Sequence, residues 1–364
     1  MQNYKIVLDR LFSLAPYSLS DSEKSEVLLS GITSLTQYHL DNNAGYRNIL
    51  DAIDYNENDI RTLADFPFIP VRIFKEVELI TNPANLVVRS LNSSGTTGQL
   101  TSKVYIDAET SNLQSKALAK ILTHYIGRNR IPMLVIDRPS TVKDRTTFSA
   151  RAAGILGFSK FASNVAYALK EDMSPNWDII HEFARNYKES SVLVFGFTGI
   201  VWQHLIKAME AENMRLDLNE ATFFHGGGWK KVAEIDQVTK EHFKDTINYR
   251  LGAKKIHDYY GMAEQTGSIL VECEDGFMHA SIYSEILIRH PLTHEVCDSN
   301  VIGLVETISI LPRSYPGHIL LTEDLGRRIG TDSCKCGKLG SYFLIEGRVK
   351  RAEIRGCSDT YQID

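Results

Sequence analysis

From about Asn85 the chain alternates short apolar runs with amphipathic stretches, and this alternation restricts the fold more than any other feature. Pro132-Met133-Leu134-Val135-Ile136 precedes a helical stretch around Arg151-Ala152-Ala153. Ser174-Pro175 reads as the N-cap and first position of a helix over Asn176 to Tyr187. Val192-Leu193-Val194-Phe195 precedes a helix that places Val201, Leu205 and Met209 on one face. A run at Phe223-Phe224 breaks into glycines, and a long amphipathic stretch follows from Lys230 to Arg250. Strands that alternate with helices predict an α/β fold with a largely parallel, covered sheet.

The flanks read differently. Residues 1–84 lean toward helix and carry no glycine-rich site, so they are expected to form a helical cap on an α/β core over 85–281. From Ile282 helix signals are sparse, which predicts a smaller β-rich subdomain over 282–346 that closes a ligand cleft, then a hinge and short tail over 347–364. A chain of 364 residues, 43% of them hydrophobic, can bury a core as one large domain or two fused subdomains. Its net charge of -5 gives no basic footprint for nucleic acid. No apolar run approaches the ~18 residues of a membrane span, and charges interrupt the first ten residues where a signal peptide would be apolar. A cytoplasmic protein is therefore expected. Its five cysteines, at 273, 297, 334, 336 and 357, are an odd number, and disulfides are not expected there.

Four segments carry chemistry. Asn92-Ser93-Ser94-Gly95-Thr96-Thr97-Gly98 lies between the strand-like runs Val87-Val88-Arg89 and Lys103-Val104-Tyr105-Ile106. Glycines let backbone N–H groups turn toward an anion, and the Ser and Thr hydroxyls add donors, a composition that suits a triphosphate. The spacing is not that of a Walker A loop, and a plain hairpin turn is the alternative. Gly226-Gly227-Gly228 ends the Phe223 run, as when backbone must approach a flat ligand. Tyr260-Gly261-Met262-Ala263-Glu264-Gln265-Thr266-Gly267 holds one carboxylate in a tight turn. Asp324, after another strand-like run, offers a carboxylate that can accept from two ribose hydroxyls.

In this order and separation the segments resemble the adenylate-forming superfamily of acyl-CoA synthetases. The match runs from Ser93 to Gly98, then through Gly226 to Gly228, Tyr260 to Glu264, Asp324, and a hinge-entry pair Gly347-Arg348. A closer resemblance is to the LuxE family, the acyl-protein synthetases of bacterial bioluminescence. It extends over Phe68-Ile69-Pro70-Val71-Arg72-Ile73-Phe74-Lys75, Tyr260 through Gly267, Leu311-Pro312-Arg313-Ser314-Tyr315-Pro316-Gly317-His318 and Arg355-Gly356-Cys357-Ser358-Asp359, so it covers nearly the whole chain. The resemblance implies the large-domain fold of adenylate-forming enzymes, with mixed, largely parallel sheets flanked by helices. The mobile C-terminal domain of that superfamily is expected to be absent or vestigial, since only Ala352 to Asp364 follow the hinge segment. It also implies ATP-dependent activation of a carboxylic acid, fatty in this family, as its acyl-adenylate. Glu264 is then the Mg²⁺ ligand. Ala263 departs from the Ser or Thr usual before that glutamate in the wider superfamily, which removes one hydroxyl from the α-phosphate.

Lys103 is the first candidate for the cation that compensates charge on the α-phosphate, and Arg348 the second. Cys357, beside Arg351 and Arg355, resembles the cysteine on which the acyl-protein synthetases carry their acyl group. An acyl reductase is the partner that this context implies. The alternatives are an acyl-CoA ligase, a nucleotide-binding scaffold without turnover, and a Cys357 that only packs. Separately, Cys273, His279, Cys334 and Cys336 offer three thiols and an imidazole, a donor set for tetrahedral Zn²⁺. The Cys-x5-His and Cys-x-Cys spacings fall outside the usual finger patterns, His294 with Cys297 is a competing pair, and unbound cysteines are the default reading.

Overall fold

Helices open the chain because apolar residues recur at helical spacing. In α1 (Gln2–Ser13) the buried side chains are Tyr4, Val7, Leu8, Leu11 and Phe12. α2 (Asp21–Asn42) starts at a capping box, in which Ser20 Oγ accepts the Glu23 N–H and the Glu23 carboxylate accepts the Ser20 N–H. Asn43 separates α2 from α3 (Ala44–Asp51) and caps it by accepting the Tyr46 N–H at 2.9 Å. This computed structural model describes residues 1–92, 102–143, 149–227, 229, 232 and 236–349. The chain divides into two compact units. The first takes residues up to 92, then 102 to 124 and 261 to 349, and the second lies between Tyr125 and Tyr260.

Within the first unit, α1 to α3 are followed by a short strand β1 (Ile69–Pro70) and by an antiparallel pair, β2 (Val87–Asn92) and β3 (Lys103–Asp107). α4 (Ala108–Ile126) follows at once, with the Asp107 carboxylate accepting the Thr110 N–H at 2.7 Å.

The second unit is a parallel sheet with the order β5-β4-β6-β7-β8. Its strands are β4 (Ile131–Ile136), β5 (Ala162–Tyr167), β6 (Val192–Phe197), β7 (Ala221–Gly226) and β8 (Lys255–Tyr260). Every residue of β6 and β7 is buried, as expected of strands covered on both faces. The connections are α5 (Ala150–Ser159), α6 (Trp177–Asn186), α7 and α8 (Lys240–Leu251). α7 runs on through Thr198–Ile200, Val201–Ile206 and Lys207–Ala211, and its middle stretch is π-helical.

One helix start differs from the sequence reading. α6 begins two residues later than Ser174-Pro175 implies, because Pro175 is held in an isolated bridge with Leu169 and Ser174 turns back onto Asp172. Asn176 is the cap instead. α8 begins at Lys240, where Thr239 caps it by accepting the His242 N–H at 3.1 Å.

The remaining strands belong to the first unit: β9 (Leu270–Glu272), β10 (Met278–His279), β11 (Ser284–Arg289), β12 (Gly303–Ser309), β13 (Ile319–Thr331) and β14 (Ser341–Arg348). They pair antiparallel in the order β11-β12-β13-β14-β10-β9, with β1 parallel to β13. The N-terminal helices lie on this sheet. Tyr4 donates its hydroxyl to the Ile310 carbonyl at 2.8 Å. Lys24 of α2 is 1% exposed and meets Glu285 of β11 at 2.6 Å. The room for its ammonium comes from Gly340, where φ is +87° and a Cβ would stand 2.9 Å from Lys24 Nζ. His39 stacks on His318 at 4.8 Å, and burial holds both imidazoles below their ordinary range, His318 at about 3. Among the described residues no helix is long and apolar enough to cross a membrane.

Candidate active site and metal centre

The loop residues Ser93, Ser94, Gly95, Thr96, Thr97 and Gly98 lie outside the described residues, as do Gly228 and Cys357. The strands that flank the loop are described. Asn92 of β2 pairs with Lys103 of β3, so the loop is spanned by an antiparallel hairpin, and Lys103 at its exit is exposed.

In the second unit, β7 ends on Gly226, and a Cβ there would meet the Tyr259 carbonyl at 2.5 Å and its ring at 2.8 Å. Only glycine lets β7 and β8 lie this close. Gly227 follows with φ +68°, a left-handed turn that glycine adopts without strain. Tyr260 ends β8, half-buried. Sequence reading passed over the polar groups beside this turn. Asp258 of β8 is 4% exposed and accepts from Trp229 Nε1 at 2.9 Å. His225 is fully buried, with Nδ1 3.0 Å from Thr198 Oγ1 and 3.7 Å from Asp258. Burial drives its imidazole well below the ordinary range, so the contact with Asp258 is not an ion pair at neutral pH.

At the C-terminal ends of the parallel strands lies a second buried group. β4 stands between β5 and β6, so the chain leaves it to one side and returns on the other, the crossover beside which open α/β sheets form their ligand crevice. Asp137, just past β4, is 1% exposed and accepts two hydrogen bonds from Arg151, that from Nε at 2.6 Å. The Arg138 N–H and the Thr141 hydroxyl also donate to Asp137, at 2.6 and 2.7 Å.

In the first unit, Gly261 is exposed and Glu264 is 5% exposed, within a single helical turn over Ala263–Gln265. That turn is held firmly. The Tyr315 hydroxyl donates to the Glu264 carbonyl at 2.8 Å, and Gln265 Nε2 donates to the carbonyls of Gly317 at 2.9 Å and Thr307 at 3.1 Å. Gly267 closes it at φ +89°, where a Cβ would meet the α4 backbone at Gln114. Tyr315 and Gln265 thus fix the backbone that carries Glu264, roles that pattern alone did not assign to them.

The structure brings Asp324 and Arg348 together. They face each other across β13 and β14, with Arg348 Nε 3.8 Å from Asp324 Oδ1 and Nη2 2.9 Å from Glu323 Oε2. Two carboxylates therefore share the Arg348 charge.

It also brings together Cys273, His279, Cys334 and Cys336, whose donor atoms lie within 4.8 Å of one another. Burial raises the Cys334 thiol to about 12 and the Cys273 thiol above its ordinary value, and lowers His279 to about 4. Cys297 is buried on its own in the β11–β12 connection and is not in this group, nor is His294.

The fold is that of solved 2-hydroxyisobutyryl-CoA ligase structures. The form with 2-HIB-AMP and CoA in the thioesterification state matches with TM-score 0.70 and 16% identity, over 92% of this chain and 70% of that one. The open form with the same ligands matches with TM-score 0.68 and 16% identity, over 91% and 71%. The postadenylation form with 2-HIB-AMP matches with TM-score 0.69 and 15% identity, over 92% and 69%. Among proteins with curated descriptions, none matches the chain in sequence. The model of one family, described as acyl-protein synthetase, LuxE, matches residues 2–363. The chain therefore belongs to the LuxE family of acyl-protein synthetases.

Proposed function

We propose that this enzyme activates a fatty acid with ATP and Mg²⁺ and then carries the acyl group on Cys357. The family match over residues 2–363 is the observation that supports this reading most. A carboxylate resists attack because the incoming group adds negative charge to an anion. In the first step the acid's oxygen forms a bond to the α-phosphorus of ATP, the bond to the β-phosphate oxygen breaks, and pyrophosphate leaves. In the second the Cys357 sulfur bonds to the acyl carbon, AMP departs with the former carboxylate oxygen, and the thiol proton goes to solvent.

The donor set fits these substrates. Backbone and hydroxyl groups of 93–98 receive the phosphates, Gly226 to Gly228 and Tyr260-Gly261 the adenine, and Asp324 the ribose hydroxyls. Glu264 offers Mg²⁺ the hard oxygen that it prefers, and bound Mg²⁺ would offset phosphate charge. Lys103 is the better candidate for the cation at the α-phosphate, since the Arg348 guanidinium is already shared between Glu323 and Asp324. The reading places an acyl reductase downstream as partner and the enzyme in the cytoplasm, and gives no catalytic part to the Cys273 group.

Pyrophosphate release measures the first step alone. The wild-type enzyme is expected to release it only when ATP, Mg²⁺ and an acid are all present, with rates rising from short to long acyl chains. Release that ignores the acid would count against the reading, and so would silence with every chain length.

A further inference from the structure

We propose that Cys273, His279, Cys334 and Cys336 bind one structural zinc ion that ties two turns of the first unit together. Three of the donor pairs are spaced close to those of a tetrahedral site. Bonds of about 2.3 Å to sulfur and 2.0 Å to nitrogen place two sulfurs about 3.8 Å apart, and a sulfur and a nitrogen about 3.5 Å apart. The Cys273 and Cys334 sulfurs are 3.8 Å apart, and Cys336 Sγ is 3.4 Å from His279 Nε2. The tightest pair, Cys334 and Cys336 at 3.3 Å, needs to open by only about 0.5 Å to match. All these sulfurs stand too far apart for a disulfide, which needs about 2.05 Å.

The two turns have the same construction. Cys273 begins the turn between β9 and β10, and Gly276 closes it at φ +81° with its N–H on the Cys273 carbonyl at 3.0 Å. Cys334 begins the turn between β13 and β14, and Gly337 closes it at φ +78° with its N–H on the Cys334 carbonyl, also at 3.0 Å.

His279 supplies the fourth ligand from β10. It is fully buried, and among the described residues its Nδ1 has no hydrogen-bond partner. Pairing of β10 with β14, His279 opposite Tyr342, sets the ring beside the second turn. Three soft thiolates and an imidazole in a closed set suit zinc, and four protein ligands leave no position for a reacting water. The ion would also withhold three of the five thiols from acylation in an enzyme that produces a thiol-reactive acyl donor, a consequence that rests on the function proposed above.

Metal analysis of purified full-length protein tests the assignment. About one zinc per chain is expected. Cys297→Ser should retain it, while Cys334→Ser and His279→Ala should each lose at least about tenfold in zinc affinity. Because those two variants can fail to fold, the wild type should also be stripped with chelator and refilled with Co²⁺. Visible bands of tetrahedral thiolate-bound cobalt, displaced by added zinc, are expected. Wild-type protein that is metal-free as purified, takes up neither ion, and melts at the same temperature with and without chelator would overturn the proposal. Stoichiometric iron or copper in place of zinc would overturn the choice of metal.

Discussion

Glu264→Gln is expected to lower acid-dependent pyrophosphate release by roughly a hundredfold or more while the enzyme stays folded. On the proposed role, the carboxylate holds Mg²⁺ against the phosphates. Losing that charge forfeits several kcal/mol of transition-state stabilisation, with each 1.4 kcal/mol worth about tenfold in rate. The fold should survive because the turn is fixed by backbone groups. Tyr315 bonds the carbonyl of residue 264 rather than its side chain, and Gln265 anchors the next residue. Glutamine also keeps the shape of a side chain that is 5% exposed. Raising Mg²⁺ should recover part of the rate, which separates a lost ligand from a lost fold. Wild-type rates in a variant with an unchanged melting temperature would remove Glu264 from the metal.

Lys24→Met is expected to produce the largest loss of stability, about 3–5 kcal/mol, because it leaves Glu285 as a buried charge without its ammonium. The pair sits at 2.6 Å with side chains 1% and 4% exposed, so water cannot take the place of Lys24. Urea denaturation measures the effect. Adding Glu285→Gln to Lys24→Met should restore much of the loss, because the double variant buries no charge at this position. A single variant that unfolds within about 1 kcal/mol of the wild type would show that Glu285 finds water or another partner.

Three strands of the second unit were the most legible elements. β4, β6 and β7 are near-continuous apolar runs because both faces are covered. α4 gave no such signal, since polar Thr110 and Gln114 share its buried face with Leu118, Ile121 and Leu122. The start of α6 was misread because Pro175 serves a bridge rather than a first helical turn. At the candidate site, sequence order picked out Asp324 and Arg348, and strand register puts them opposite each other. Tyr315 and Gln265 lie inside segments that the resemblance covered, yet their work depends on contacts 51 and 42–53 residues away, which no local pattern displays. The Cys/His group was visible as a donor set but not as a spacing, because pairing of β10 with β14 rather than proximity in the chain assembles it.

The central claim is that the acyl group passes from AMP to Cys357. The most direct measurement is mass spectrometry of the intact and digested enzyme after incubation with ATP, Mg²⁺ and a panel of fatty acids. The account predicts a mass increase of one fatty acid less water, labile to hydroxylamine, on the peptide that contains Cys357. Cys357→Ser should lose that adduct and keep pyrophosphate release. A thioester that persists in Cys357→Ser, maps to Cys297, or forms only on added CoA would contradict it.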